Sequence, residues 1–366
     1  MDGLRFVAIA LVYLQHGFLG AINTLGLSPE VRDVIFRPFT LGETGVSFFF
    51  VLSGFLITYL ILSEIKLNGN VDVFAFYIRR GLRIFPLYFV VVGWGILFYP
   101  PLKEAFGFSG YVEFGNPWLY FTFLSNFDVI GLMQAGTGAM STNITWSVSV
   151  EEQFYLVWVV LFFYLRPNLY KYLFPCVIVI SAVFRIWNND NETVLYFHTL
   201  SVISDMAIGG LCAFWAIEYE WLKNAFKNAN RSIIVLGYIT GLVVVWFEHQ
   251  LFPNWFSRFL PTVFFAFVIL EQNYSSKSVF KMSNCKSLSS LGKYTYALYL
   301  LHPVGLLFCE IVFRLMSIDI DGLGLKILIG LLAFFVSMVL SYLSYHLLEK
   351  RFLILKTRFA HIKSGG

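Results

Sequence analysis

The sequence predicts an all-α polytopic membrane protein, with about ten transmembrane helices and one short segment that is re-entrant or lies on the outer face. Three observations lead there. Of the 366 residues, 58% are hydrophobic and 13% are charged, about half the roughly 25% charge of a soluble domain. Apolar runs recur along the whole chain at lengths approaching the roughly 20 residues that cross a bilayer. The lysines and arginines between those runs show the one-sided bias that membrane insertion imposes.

In chain order, spans are expected near 5–23, 45–63, 82–99, 146–165, 172–187, 194–216, 232–248, 257–273, 295–315 and 323–348. The first has no A-x-A cleavage site and carries His16, so it reads as a span and not as a removable signal peptide. The segment 117–131, PWLYFTFLSNFDVIG, is short, contains Asn126 and Asp128, and leads into the run GLMQAGTGAMSTN. Charge decides its placement. If it does not cross, 19 of the 26 Lys and Arg residues fall on one face, against 7 on the other. If it crossed, Arg166, Lys171 and every later loop would change sides and the bias would collapse. Ten spans with both termini cytoplasmic are therefore expected. Re-entrant backbone is tolerated only beside protein or a watery cavity, so 117–131 should line a site.

No stretch is long and polar enough for a second domain, and residues 1–366 read as one membrane-embedded unit. The four cysteines, Cys176, Cys212, Cys285 and Cys309, are scattered without C-x-x-C spacing. They read as small core residues and not as a disulfide framework or metal site. The net charge of +4 comes from basic loops, which implies no nucleic-acid partner.

Several ionisable residues lie where lipid makes them costly, and such residues are kept mostly where they have a job. Arg5 and His16 are eleven positions apart in the first span, about 16 Å along a helix. That puts a cation at the membrane face and an imidazole near mid-depth, where it can act as a general base or carry an acyl group. In TWSVSVEEQFYLVW, Glu151 and Glu152 lie about two turns inside the fourth span. Neighbours on a helix point about 100° apart, so only one of the two faces a given cavity. A carboxylate beside His16 would fix its tautomer and raise its basicity; the plainer alternative is acidic decoration of a helix start capped by Ser147 or Ser149.

In FYIRRGLRIFPLY, Arg80 and Arg83 share a helix face. They are either ordinary positive-inside residues or a bidentate phosphate clamp. Ser53 and Gly54 are small residues in an aromatic helix, suited to close helix packing or to leaving room for a narrow acyl channel. His302, before Pro303, is either a second polar wall of the cavity or a packed histidine. His198, Asp205 and Glu349 are further ionisable residues with no assigned partner.

Five segments in order, DGLRFVAIALVYLQH, GVSFFFVLSGFLIT, RRGLRIFPLY, WSVSVEEQFY and LGKYTYALYLLHP, resemble the acyltransferase-3 family of integral membrane acyltransferases. Members O-acylate bacterial surface polysaccharides, lipopolysaccharide O-antigens and some small molecules. The family's basic-x10-His motif lands on Arg5 and His16, FFxxSG on Phe49, Phe50, Ser53 and Gly54, and RxxR on Arg80 and Arg83. The tryptophan-to-glutamate block lands on Trp146, Ser147 and Glu151.

The resemblance implies an acyl-CoA donor, usually acetyl-CoA, entering from the cytoplasm, and ten spans in a bacterial inner membrane. It implies an acceptor hydroxyl on a surface glycan or lipid-linked oligosaccharide, and is compatible with polysaccharide-assembly partners. Arg5, Arg80 and Arg83 would bind the donor's phosphates, and His16 with Glu151 would do the chemistry. Ser53, Gly54, Trp146, Ser147 and His302 would line the substrate channel. Met1 abuts the Asp-Gly-Leu-Arg motif where members carry several residues before it, which suggests a start further upstream. No esterase-like soluble domain follows the last span, so the chain is expected to act as the membrane unit alone. The competing class is a transporter or flippase of a lipid-linked glycan, which would need neither an arginine clamp nor a single privileged histidine.

Overall fold

The computed structural model describes residues 1–107, 114–137, 142–318 and 320–359. Ten long helices organise it: α1 (Asp2–Asn23), α2 (Gly42–Asn68), α3 (Val73–Leu97), α4 (Thr145–Tyr164), α5 (Tyr170–Trp187), α6 (Thr199–Glu218), α7 (Arg231–Leu251), α8 (Phe259–Tyr274), α9 (Thr295–Leu315) and α10 (Leu323–Ser344). A short α11 (Lys350–Lys356) follows, and no strand occurs among the described residues. The chain is an all-α polytopic membrane protein.

Nine helical segments among the described residues are long and apolar enough to cross a membrane. The exception is α8, at 16 residues. However, helix Asn254–Ser257 runs straight into it through Arg258, whose backbone is helical (φ −70°, ψ −25°). Together they rise about 31 Å, enough for a hydrocarbon core of about 30 Å. The two chain ends also bear on the count. Gly292 packs against Asp2 and Gly3 against Met282, while Arg79 donates to the Phe359 carbonyl at 2.8 Å. Both ends of the described chain thus lie at one end of the bundle, which requires an even number of crossings.

Segment 117–131 does not cross. It forms helices Trp118–Phe121 and Ser125–Gln134, of 4 and 10 residues. The second packs on α4 and on helix Glu192–Phe197. Its polar residues are used internally: Asn126 donates to the Phe197 carbonyl at 3.2 Å and to Thr199 at 3.1 Å. Asp128 accepts the backbone N–H groups of Gly115 and Asn116 at 2.9 and 2.7 Å. In the run after it, residues 138–141 lie outside the described residues.

The centre of the bundle is α2 against α6. In each of these two spans 72% of the apolar window is buried, against 22% in the α5 and α7 spans and 17% in the α10 span, so these three lie at the lipid-facing rim. Glycines set the central crossing. A Cβ on Gly54 would lie 2.0 Å from the Met206 carbonyl oxygen, and one on Gly209 would lie 2.1 Å from that of Val51. Only hydrogen fits at either position, as in close small-residue crossings generally. This corrects the channel role given to Gly54: it faces α6 and lines none of the cavities described below.

Other polar residues in the spans have structural partners. Asp205 pairs with Arg258 at 2.7 Å. His198 accepts the Leu200 N–H at 3.1 Å and caps α6. Glu349 accepts from Ser344 at 2.9 Å, within a π-helical turn (Tyr345–Glu349) that delivers α11 onto α3. All four cysteines are free; Cys212 and Cys309 are buried as expected, but Cys176 faces outward.

Candidate active site

Helix α1 carries Arg5 toward one end of the bundle and His16 toward the other. His16 opens into a chamber of about 390 Å³ whose walls include Gln15, Glu43, Trp146, Tyr196 and Tyr299. Its Nδ1 lies 2.7 Å from His302 Nε2. His302 Nδ1 in turn lies 2.7 Å from the Tyr299 carbonyl and 3.2 Å from that of Leu298.

The neighbouring proline explains why that carbonyl is available. In α9 the Tyr299 carbonyl would normally accept the N–H four residues on, but that residue is Pro303, which has none. A carbonyl can only accept, so His302 Nδ1 carries the proton and His302 Nε2 is an acceptor. His16 Nδ1 must then be the donor, which leaves the His16 Nε2 lone pair for the chamber. This corrects the alternative of a cavity wall for His302. It is fully buried, at 0% exposure, and stands behind His16, setting its tautomer.

Glu151 does not take that role. It accepts a hydrogen bond from Ser53 and lines a narrow slot of about 20 Å³ with Ala8, Ile9, Val12, Ser147 and Tyr299. Those α1 residues lie one to two turns before His16, about 6–12 Å toward Arg5. The expected pairing of Glu151 with His16 fails because Trp146 occupies the His16 level of α4, and Glu151 is five residues deeper. Glu152 points elsewhere, its Oε1 buried without a hydrogen-bond partner among the described residues. Where slot and chamber meet, Ser147 and Tyr299 bring their hydroxyls within 2.6 Å of each other.

Glu151, a wall of the slot, lies within electrostatic reach of Arg80 and Arg83, which belong to a group of cations. The Arg80 guanidinium lies 5.1 Å from the Tyr155 ring centre and 5.8 Å from that of Phe76. Arg5 pairs with Asp2 at 2.6 Å and Arg79 with Glu64 at 2.8 Å. Arg80, Arg83 and Lys356 have no ion pair or hydrogen bond among the described residues. Lys356, on α11, is within electrostatic reach of Arg5, Arg79, Arg80 and Arg83. Glu151 and Glu152 lie within electrostatic reach of Arg80, and Glu151 and Glu349 of Arg83, but without forming ion pairs; the cations still repel one another, and an anion with several oxygens relieves that repulsion. No group of three or more His, Cys, Asp or Glu residues able to hold a metal occurs among the described residues.

The predicted residues therefore separate into two connected places. His16, Trp146 and His302 form one, with Ser147 at its neck; Arg5, Arg80, Arg83, Glu151 and Ser53 form the other. Gly54 belongs to neither. Sequence reasoning missed Gln15, Glu43, Tyr196, Tyr299 and Lys356. Tyr299 sat inside a motif already singled out, whereas Lys356 lies past the last apolar run and only the turn at Tyr345–Glu349 brings it to the arginines.

Comparison with known proteins bears on the family. The model of an acyltransferase domain, Acyl_transf_3, matches residues 1–346. Peptidoglycan O-acetyltransferase OatA of Listeria monocytogenes is 27% identical over 325 residues, covering 82% of this chain and 48% of its own. O-acetyltransferase OatA of Staphylococcus aureus is likewise 27% identical, covering 82% and 49%. The putative peptidoglycan O-acetyltransferase YrhL of Bacillus subtilis is 27% identical over 374 residues, covering 96% and 54%. The chain thus spans about half the length of these curated relatives. No solved structure matches it. The histidine on α1, the arginines on α3, the glutamate on α4 and the family match over residues 1–346 together make this chain a member of the acyltransferase-3 family.

Proposed function

We propose that this protein transfers an acyl group, acetyl in the first instance, from acyl-CoA to a hydroxyl of a cell-surface glycan. One observation carries the reading: an imidazole with Nδ1 anchored by His302 and Nε2 open to a chamber, which adjoins a slot whose Glu151 lies within electrostatic reach of Arg80 and Arg83. The donor's phosphates bind Arg5, Arg80, Arg83 and Lys356, and its thioester arm lies along α1 past Glu151. The end holding these cations is cytoplasmic, because the basic loops gather there. The bilayer is that of a bacterial inner membrane.

In direct transfer, His16 Nε2 takes the proton of the acceptor hydroxyl as its oxygen bonds to the thioester carbonyl carbon. The C–S bond then breaks, and the thiolate takes the proton from the imidazolium. In the relay variant, Nε2 bonds to the carbonyl carbon first as the C–S bond breaks and the CoA thiolate leaves; the acceptor oxygen then bonds to that carbon, the C–N bond breaks, and the hydroxyl proton passes to the thiolate. Of the Ser147 and Tyr299 hydroxyls, one donates to the other and the second to the Ile144 carbonyl; exchanging that last bond lets one of them donate to the carbonyl oxygen as it gains charge. The names of the relatives support acetyl as the group and peptidoglycan as one acceptor. The narrow slot favours acyl transfer over export, because 20 Å³ admits a thin chain and not a sugar.

The test is transfer of radiolabelled acetyl from acetyl-CoA by purified protein in liposomes. His16→Ala is expected to abolish it with insertion unchanged. Retention of more than a few per cent of the wild-type rate would remove His16 from the chemistry. Label trapped on wild-type protein without acceptor would identify the relay route.

A further inference from the structure

Above the His16 chamber lies a second, larger one of about 540 Å³. The two share Gln15, Glu43 and Tyr196 as walls, so they form one continuous space. The outer chamber is densely charged, and its charges are unevenly used. Arg37 is paired with Glu248 at 2.6 Å, Arg258 with Asp205 at 2.7 Å and Arg32 with Asp33 at 3.0 Å.

Arg185 has no carboxylate, but its donors are occupied. They reach the carbonyls of Leu195, Asn254 and Trp255 and the Ser201 hydroxyl at 2.7–3.0 Å. Every guanidinium facing this chamber therefore has a protein partner, although the buried Arg258 Nη2 is held by its ion pair with Asp205 and by no further hydrogen bond. Two carboxylates have no such partner. Glu43 and Glu192 both line the chamber and stand open to it. Neither has an ion pair or a side-chain hydrogen bond to another residue among the described residues, although Glu43 lies within electrostatic reach of Arg37, Arg185 and Arg258.

This is the opposite of the donor end, where the unpaired groups are cations. An ionised carboxylate offers acceptors only, so free carboxylates call for hydroxyl, amide or ammonium donors and disfavour a second negative charge. We propose that the outer chamber is the acceptor site, and that Glu43 and Glu192 select a glycan segment that is uncharged or carries amines over one that carries free carboxylates. The chamber's volume lies within the roughly 300–1,000 Å³ range of ligand pockets, and Tyr196 offers an aromatic face beside Glu43. Glu43 also belongs to the His16 chamber, so a sugar bound there presents a hydroxyl toward Nε2. This inference rests on the acyl-transfer reading for its chemistry but concerns binding, so the two are separable.

The experiment uses full-length protein and three tetrasaccharide probes: N-acetylglucosamine (neutral), glucosamine (cationic) and galacturonic acid (anionic). Binding is measured on the His16→Ala variant, and acetylation on wild type and the Glu43 and Glu192 variants. Binding of the neutral and amino probes is expected to exceed that of the uronate by at least tenfold. Glu43→Lys is expected to reverse the order of the amino and uronate probes, and Glu192→Lys to shift it in the same direction. Glu43→Gln is expected to raise the KM for the neutral probe about three- to tenfold, with the acetyl-CoA KM unchanged. Preferred binding of the uronate by wild-type-like chambers, or an order unmoved by both charge reversals, would overturn the proposal. Selective binding without any acetylation would leave the acceptor site standing and sink the acyl-transfer reading instead.

Discussion

His302 gives the most demanding test of the site. In His302→Ala, His16 Nδ1 loses the acceptor 2.7 Å away, while the Tyr299 carbonyl freed by Pro303 loses its donor. A buried polar group left unpaired costs about 1–3 kcal/mol. If that cost falls on the catalytic tautomer, kcat drops by about 5- to 150-fold. His302→Gln places an amide oxygen where Nε2 stood and is expected to recover much of the loss. A purely packing role predicts no such rescue. Pro303→Ala gives Tyr299 a backbone N–H partner and competes with His302, so a smaller loss in the same direction is expected. The assay is release of the CoA thiol from acetyl-CoA with the N-acetylglucosamine tetramer as acceptor. The acetyl-CoA KM should stay constant throughout. An Ala variant within twofold of wild type, or a Gln variant no better than Ala, would refute the relay from Tyr299 through His302 to His16.

The other expectations concern the donor end, the central crossing and sidedness. Arg83→Ala and Lys356→Ala are each expected to weaken CoA binding about ten- to a hundredfold, as charged hydrogen bonds warrant. Calorimetry on the purified protein reads this, and the loss should be smaller with 3′-dephospho-CoA; equal losses for both ligands would remove the phosphate contact. Glu151→Gln should impair transfer more than Glu152→Gln, because only Glu151 lines the slot; equal, mild effects would reduce both to helix-end charges. Gly54→Ala forces a methyl to within 2.0 Å of the Met206 carbonyl. It is expected to destabilise the protein by about 3 kcal/mol, measured by thermal unfolding, and an unchanged midpoint would contradict the close crossing. Cysteine at Lys277 should be shielded from an impermeant thiol reagent in intact cells and cysteine at Asp190 should react; the reverse would invert the topology.

Periodicity and charge made the spans legible, because lipid permits few alternatives to apolar helices. The same charge counting kept 117–131 from crossing, and the buried partners of Asn126 and Asp128 explain how so polar a segment sits there. Chemistry was legible as residue type but not as partnership. That His16 needs a second group could be argued from its depth alone. That the group is His302 and not Glu151 depends on the relative heights of α4 and α9 beside α1, which no periodicity encodes. The dipeptide His302-Pro303 did hold a usable signal, since a proline frees a carbonyl one turn back and a histidine beside it can take it. Gly54 was ambiguous for the converse reason: a missing side chain suits a channel and a crossing equally, and only the position of Met206 decides.

The placement of charge along α1 also bears on how a membrane enzyme could join a substrate from each side without opening a leak. Unpaired cations stand at one end of the path and unpaired carboxylates at the other, with Glu151 and the Ser147–Tyr299 pair between them. The connecting slot, at about 20 Å³, is wide enough for a thin chain and not for a sugar ring. In the proposed reaction a diphosphate would not follow its own acyl arm through such a neck, because the neck is too narrow for it and the cations hold it. A glycan cannot descend, because the neck is narrower than a sugar. In that reaction only the thioester carbon would reach His16, and α1 would set how far it travels: from Arg5 to His16 is about 16 Å. Shortening that interval by one helical turn, through deletion of four apolar residues between them, would pull the cation about 6 Å toward the histidine. Transfer should then fail while CoA still binds, and transfer at the wild-type rate would show that α1 does not measure the donor.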